Sequence, residues 1–180
     1  MKKWRKITSR LVFDHQWYKL RQDEVELPNG QILDDYFVSV RPNVVLVFPV
    51  LEDGKTTLLV EQYKHGAAQI LLEFPGGFCD AGETPLVSVK RELLEETGYA
   101  TDQLIPMGKM HSDPTKNNNT IHLYLALNAT QQQAQKLDPT EDIIIHKVAI
   151  EDLKKMILQG EIRVASTVSL AFMGMNYLGK

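Results

Sequence analysis

Gly77-Phe78-Cys79-Asp80-Ala81-Gly82-Glu83, continuing through Arg91-Glu92-Leu93-Leu94-Glu95-Glu96-Thr97-Gly98-Tyr99, crowds carboxylates into one short stretch. Thr84 is placed to cap a helix N-terminus, Pro85 brings the pre-set φ of a first helical position, and Gly98 suits a left-handed C-terminal cap. The spacing predicts a helix over residues 85–97. On a wheel of about 100° per residue, Leu86, Val89 and Leu93 share one side, and Glu92, Glu95 and Glu96 converge on another. Glu92 and Glu96 stand at i and i+4, where like charges repel by about 0.2–0.5 kcal/mol, and Glu95 has only Arg91 as a helical neighbour of opposite charge. Compensation must come from outside the helix, unless this is an ordinary solvated acidic face.

A hard divalent cation bound through oxygen would supply it, since Mg²⁺ takes one or two carboxylates and completes its shell with water and substrate phosphates. Gly77, five residues, Glu83, seven residues, then Arg91-Glu92-Leu93-X-Glu95-Glu96-X-Gly98 and a bulky apolar residue form a long gapped pattern. It resembles the Nudix box. That resemblance implies an α/β/α sandwich with a mixed sheet, and hydrolysis of a nucleoside diphosphate linked to a second group. It further implies Glu92, Glu95 and Glu96 as metal-binding and catalytic glutamates, with Mg²⁺ or Mn²⁺ as cofactor. Arg91 and Glu83 match the pair that ties the preceding loop to the helix, and Gly76 matches the residue whose carbonyl can ligate the metal. Tyr99 departs from the aliphatic residue usual at the end of the box, a change of packing more than of chemistry.

At 180 residues, with 43% apolar and 24% charged, the chain is sized for one globular domain with room for a small appendage. A net charge of −3 gives no reason to expect nucleic acid as a partner, and Lys2, Lys3, Arg5 and Lys6 read as a frayed, solvated terminus. The basic start lacks a following apolar core, and no apolar run reaches the roughly 18 residues of a membrane span, so neither secretion nor insertion is expected. Cys79 is the single cysteine, which suits a reducing cytoplasm; with no histidine near it in sequence, it reads as a bystander in the box loop.

Residues 17–27 and 31–40 alternate apolar and polar around Pro28-Asn29-Gly30, which predicts a hairpin with a type I′ turn. Residues 43–51 and 56–62 are strongly apolar and predict central strands on either side of a turn at 52–55. Ile70 to Phe74 is a short strand that breaks at Pro75 into Gly76-Gly77; the G-x-G-x-x-G spacing of a dinucleotide fingerprint is missing. Strands are also predicted at 105–110, 120–127 and 142–148, with a polar loop over 111–119. A short helix follows at 150–158, and a last one over 166–177 with residues 168, 171, 172 and 175 on its inner face.

Within the Nudix family, three features resemble ADP-ribose pyrophosphatases: Pro114, 15 residues beyond Tyr99; Val60-Glu61-Gln62-Tyr63-Lys64, whose basic residue would contact the diphosphate; and Gly160-Glu161-Ile162 before the last helix. Lys64 stands where the subfamily carries arginine and offers a point charge without the bidentate fork. The resemblance implies that residues 1–40 form an N-terminal β region that dimerises and helps form the partner's substrate site, with residues 41–180 as the hydrolase domain. A lid on the chain's own core is the alternative. Trp17 and Tyr36 are candidate platforms for adenine, although aromatics in hairpins commonly serve cross-strand packing. Glu141 is the late-loop candidate for general base, with Glu92 or Glu95 as the fallback, and it is equally placed to cap the strand after Pro139. Two rival functions are kept: a Nudix hydrolase of another nucleotide, such as a nucleotide sugar, an oxidised nucleotide or a dinucleoside polyphosphate, and a sensor that binds ADP-ribose-like ligands without cleaving them.

Overall fold

The computed structural model describes residues 1–180 and divides into two compact units. The first comprises residues 1–42 and 111–120. Its three strands, β1 (Arg5–His15), β2 (Tyr18–Glu26) and β3 (Ile32–Val40), form one antiparallel sheet in the order β1-β2-β3. The basic terminus is thus not frayed: Arg5 and Lys6 lie in an eleven-residue strand, and Arg5 pairs with Glu26 across it. Single charges could not reveal this, because the partner carboxylate lies on the far side of a turn. The second hairpin is present, but its turn is not type I′. Gly30 N–H donates to Leu27 O at 2.9 Å and only Gly30 has positive φ, because Pro28 holds the first central position at negative φ. The loop 111–120 joins this sheet through Ser39 N–H to Lys116 O (2.7 Å) and Arg41 N–H to Asn118 Oδ1 (2.8 Å).

The second unit comprises residues 43–110 and 121–180. Its eight-stranded sheet contains β4 (Val44–Leu51), β5 (Thr56–Lys64), β6 (Gln69–Glu73), β7 (Gly76–Phe78), β8 (Tyr99–Ala100), β9 (Gln103–Met110), β10 (Ile121–Gln131) and β11 (Ile143–Ala149). The central path runs β11-β5-β4-β10-β8, with β6 on β5, β7 on β4 and β9 on β10. β4 and β10 run parallel and the other pairs antiparallel, so the sheet is mixed. Successive side chains of β4 point to opposite faces. Val45 and Val47 pack with Val89 and Leu93 of α1 (Pro85–Thr97), whereas Leu46, Phe48 and Val50 share a second cluster with Leu153 of α2 (Leu153–Leu158) and with Leu170, Ala171 and Met175 of α3 (Ala165–Tyr177). Helices on both faces make the expected α/β/α sandwich.

Two helix faces differ from the wheel. Leu86 is exposed in the first turn of α1, where Ser88 is buried instead. On α3 the buried stripe is Thr167, Leu170, Ala171, Gly174 and Met175, while Phe172 is exposed. Gly174 rides directly over the Phe48 ring, where a Cβ would overlap it, so this close approach rotates the helix away from the face that apolar residues alone suggest.

Candidate active site

The box helix forms as its caps dictate. Thr84 Oγ1 accepts from Val87 N–H at 3.3 Å, Pro85 occupies the first turn, and Gly98 closes the end with φ 74°. Its acidic side is not a solvated face. Glu92 is 8% and Glu96 5% exposed, whereas Glu95 is half-buried. Burial pushes the Glu92 carboxyl up to about 7 against the pull of Arg91. It pushes Glu96 up to about 8, although Gly76 N–H donates to Glu96 Oε2 at 2.7 Å and Lys64 also lowers it. Desolvation outweighs the local attractions in both.

Arg91 organises the loop before the helix. Its Nη2 donates to Glu83 Oε2 and to Phe78 O, both at 3.0 Å, while Nη1 reaches Glu92 Oε1 at 2.9 Å and Glu95 Oε2 at 3.2 Å. Glu83 is held down at about 2, first by Arg91 and then by Ser88, whose hydroxyl donates to it at 2.7 Å. One guanidinium fork therefore ties loop to helix and spaces two of the three box carboxylates. The start of β7, Gly76-Gly77, closes over the same carboxylates: a Cβ at Gly77 would overlap the Glu92 carboxyl group.

Glu96, Gly76 and Gly77 line a cavity of about 190 Å³ together with Lys64, Glu73 and Ser166. Glu141 is half-buried in the loop two residues before β11; its Oε2 accepts from Asp138 N–H at 2.9 Å, and its charge adds to the upward push on Glu92 and Glu96. No three carboxylates converge on one point, because Arg91 draws Glu92 and Glu95 and the Gly76 amide draws Glu96. The donor chemistry fits a hard divalent cation all the same: every side-chain donor is a carboxylate oxygen, and in the two buried ones desolvation outweighs the nearby cations Arg91 and Lys64.

The remaining candidates separate into two groups. Lys64 lies with Glu96 and Gly76 in the hydrolase-sized unit. Tyr36 and Pro114 lie together in the N-terminal unit, lining a cavity of about 310 Å³ with Trp4, Lys6 and Arg21. Tyr36 Oη donates to Thr115 O at 2.8 Å, and its ring meets Trp4 edge to face at 5.7 Å. Trp17 does not join them: it sits in the turn between β1 and β2 and is 83% exposed. Sequence reading missed Trp4, which lies just before β1 and outside the hairpin that Pro28-Asn29-Gly30 signals.

The NUDIX domain family matches residues 40–166, and the box lies inside that match with all its charged positions filled. The chain belongs to the Nudix family. Nudix hydrolases are generally dependent on divalent metal. A second family, described as the nucleoside diphosphate sugar hydrolase N-terminal domain, matches residues 4–39. Among curated relatives of this Nudix protein, a methanol dehydrogenase activator of Bacillus methanolicus is 31% identical over 163 residues, 90% of this chain and 87% of that one. An ADP-ribose pyrophosphatase of Bacillus subtilis (strain 168) is 29% identical over 162 residues, 89% of this chain and 86% of that one. A solved structure titled ADP compounds hydrolase superposes with a TM-score of 0.86 at 20% identity, over 99% of this chain and 96% of that chain, which establishes the shared fold. No helix is long and apolar enough to cross a membrane.

Proposed function

We propose that this Nudix hydrolase cleaves ADP-ribose to AMP and ribose 5-phosphate. The observation that carries the reaction is the pair of buried carboxylates, Glu92 and Glu96, set against Gly76-Gly77 of β7 with Lys64 in the adjoining cavity. The choice of substrate is supported by relatives named ADP-ribose pyrophosphatase from Bacillus subtilis and Mycobacterium tuberculosis. Glu92, Glu95, Glu96 and the Gly76 carbonyl would hold Mg²⁺ or Mn²⁺, which when bound offsets diphosphate charge and acidifies an attacking water. Arg91 keeps the box loop on the helix, Lys64 meets a diphosphate oxygen, and Glu141 accepts the proton of the water, with Glu92 or Glu95 as the substitute base. This reading sets the protein in the cytoplasm, consistent with its single, unpaired cysteine.

The reading includes a homodimer in which residues before about 40 complete the neighbour's substrate site. Leu11, Val12, Phe13 and Tyr18 on the N-terminal sheet and Trp17 in its first turn are all exposed, more apolar surface than a free appendage leaves to water. Tyr36, Trp4 and Pro114 would then offer a stacking site for adenine. A nucleotide sugar is the second reading, favoured by the family match over residues 4–39.

Phosphate release after phosphatase coupling, over a panel of ADP-ribose, nucleotide sugars and dinucleoside polyphosphates with Mg²⁺ and with Mn²⁺, tests both readings. ADP-ribose should lead in kcat/KM. A nucleotide sugar in first place moves the assignment to the second reading, and no release from any compound refutes both.

A further inference from the structure

Lys64 ends β5, and its side chain folds back along the strand: Nζ donates to Gln62 Oε1 at 2.6 Å and lies 3.0 Å from Glu73 Oε1. Glu73 ends β6 opposite Val60, mostly buried; its Oε1 is ion-paired with Lys64 and accepts no hydrogen bond. Lys64 and Glu73 line the same cavity as Glu96 and Gly76. A carboxylate there is at odds with diphosphate binding, because its charge repels the ligand. An ammonium group has three N–H donors; Gln62 engages one and the Glu73 ion pair holds the charge in place, which leaves donor capacity for an acceptor in the cavity. Fixing a free lysine side chain costs rotamer entropy, and here that ordering precedes binding.

We propose that Glu73, together with Gln62, is a positioning residue that holds the Lys64 ammonium beside Glu96 with an N–H directed at a diphosphate oxygen. The device does for lysine what a planar fork does for arginine, since a flexible point charge has no geometry of its own. The proposal rests on the diphosphate reading of the site and extends it to a residue outside the box.

The test is a double-mutant cycle read by calorimetry on the full chain with Mg²⁺, using adenosine 5′-(α,β-methylene)diphosphate, which resists hydrolysis, as the probe. Lys64→Ala and Glu73→Ala should each weaken binding about tenfold, the order expected for one charge-assisted hydrogen bond. The double variant should also lose about tenfold, not a hundredfold. The sign is decisive: a carboxylate that merely repels the ligand predicts tighter binding when it is removed. Glu73→Ala binding the probe as well as the wild type or better, additive losses, or no binding by the wild type would each overturn the proposal. Glu73→Gln keeps the shape of the side chain and carries the same cycle if the alanine variant does not fold, with a smaller loss that again vanishes in the Lys64→Ala background. With ADP-ribose, KM should rise while kcat holds. If ADP-ribose is not turned over at all, the substrate reading has failed, and the binding cycle still decides the role of Glu73.

Discussion

Replacing Glu96 by glutamine should make the metal-free protein more stable in base and leave it unchanged in acid. Burial raises the Glu96 carboxyl from 4.5 to about 8, so the folded state holds a proton that the unfolded chain gives up. The stability tied to that proton is fully present below about pH 4.5 and is lost as the pH rises through about 8. At about 1.4 kcal/mol for each tenfold change in proton affinity, the loss across this window is on the order of 5 kcal/mol. Glutamine imitates the protonated acid: it has the same shape, an oxygen for the Gly76 amide at the present 2.7 Å contact, and no charge to desolvate. Urea unfolding in EDTA should therefore give equal stabilities within about 1 kcal/mol at pH 5 and a variant ahead by several kcal/mol at pH 9. Added Mg²⁺ should narrow the gap at pH 9 by about half, since a cation at 100 times its Kd contributes about 2.7 kcal/mol to the wild type alone. Turnover should be mostly lost. A stability difference that does not change between pH 5 and pH 9 would refute the argument that desolvation dominates this carboxyl. Glu92→Gln should follow the same course over a narrower window that ends near pH 7.

Arg91→Ala leaves Glu92 and Glu95 without their cation and frees the Glu83 loop, and we expect a loss on the order of 3 kcal/mol in urea unfolding, with turnover falling alongside. Gly77→Ala drives a methyl group into the Glu92 carboxyl, and should lower kcat at saturating metal far more than it lowers Tm. Glu141→Gln should reduce kcat with little change in KM; an unchanged kcat would move the base onto the box helix. The full chain should sediment as a dimer, and Glu96→Gln chains mixed with Tyr36→Ala chains should recover activity. Failure to recover it in verified heterodimers of two impaired variants would show that Tyr36 does not act across an interface.

The sequence by itself determined the box helix and the family the chain belongs to. Thr84, Pro85 and Gly98 act on backbone groups within a few residues of themselves, and the structure places the helix over Pro85–Thr97 as those signals demand. The gapped spacing from Gly77 to Gly98 likewise carried the family, since a covalent interval is readable without any fold. Tertiary structure alone decided how wet the carboxylates are, and it turned an apparently solvated face into two buried acids with raised proton affinity. It also decided which distant residues meet. Arg5 finds Glu26 and Tyr36 finds Trp4 through strand register, while Lys64 finds Glu73 because β6 folds back on β5. The charges at the start of β1 were legible, but their strand partners were not, and so a basic strand read as a loose end. Helix faces erred for the same reason: Phe172 is apolar enough for the core, yet the bare surface of Gly174 is what fits against Phe48. Caps and spacings are short-range and sit in the order of the residues, whereas burial and pairing depend on surfaces that exist only once remote segments have come together.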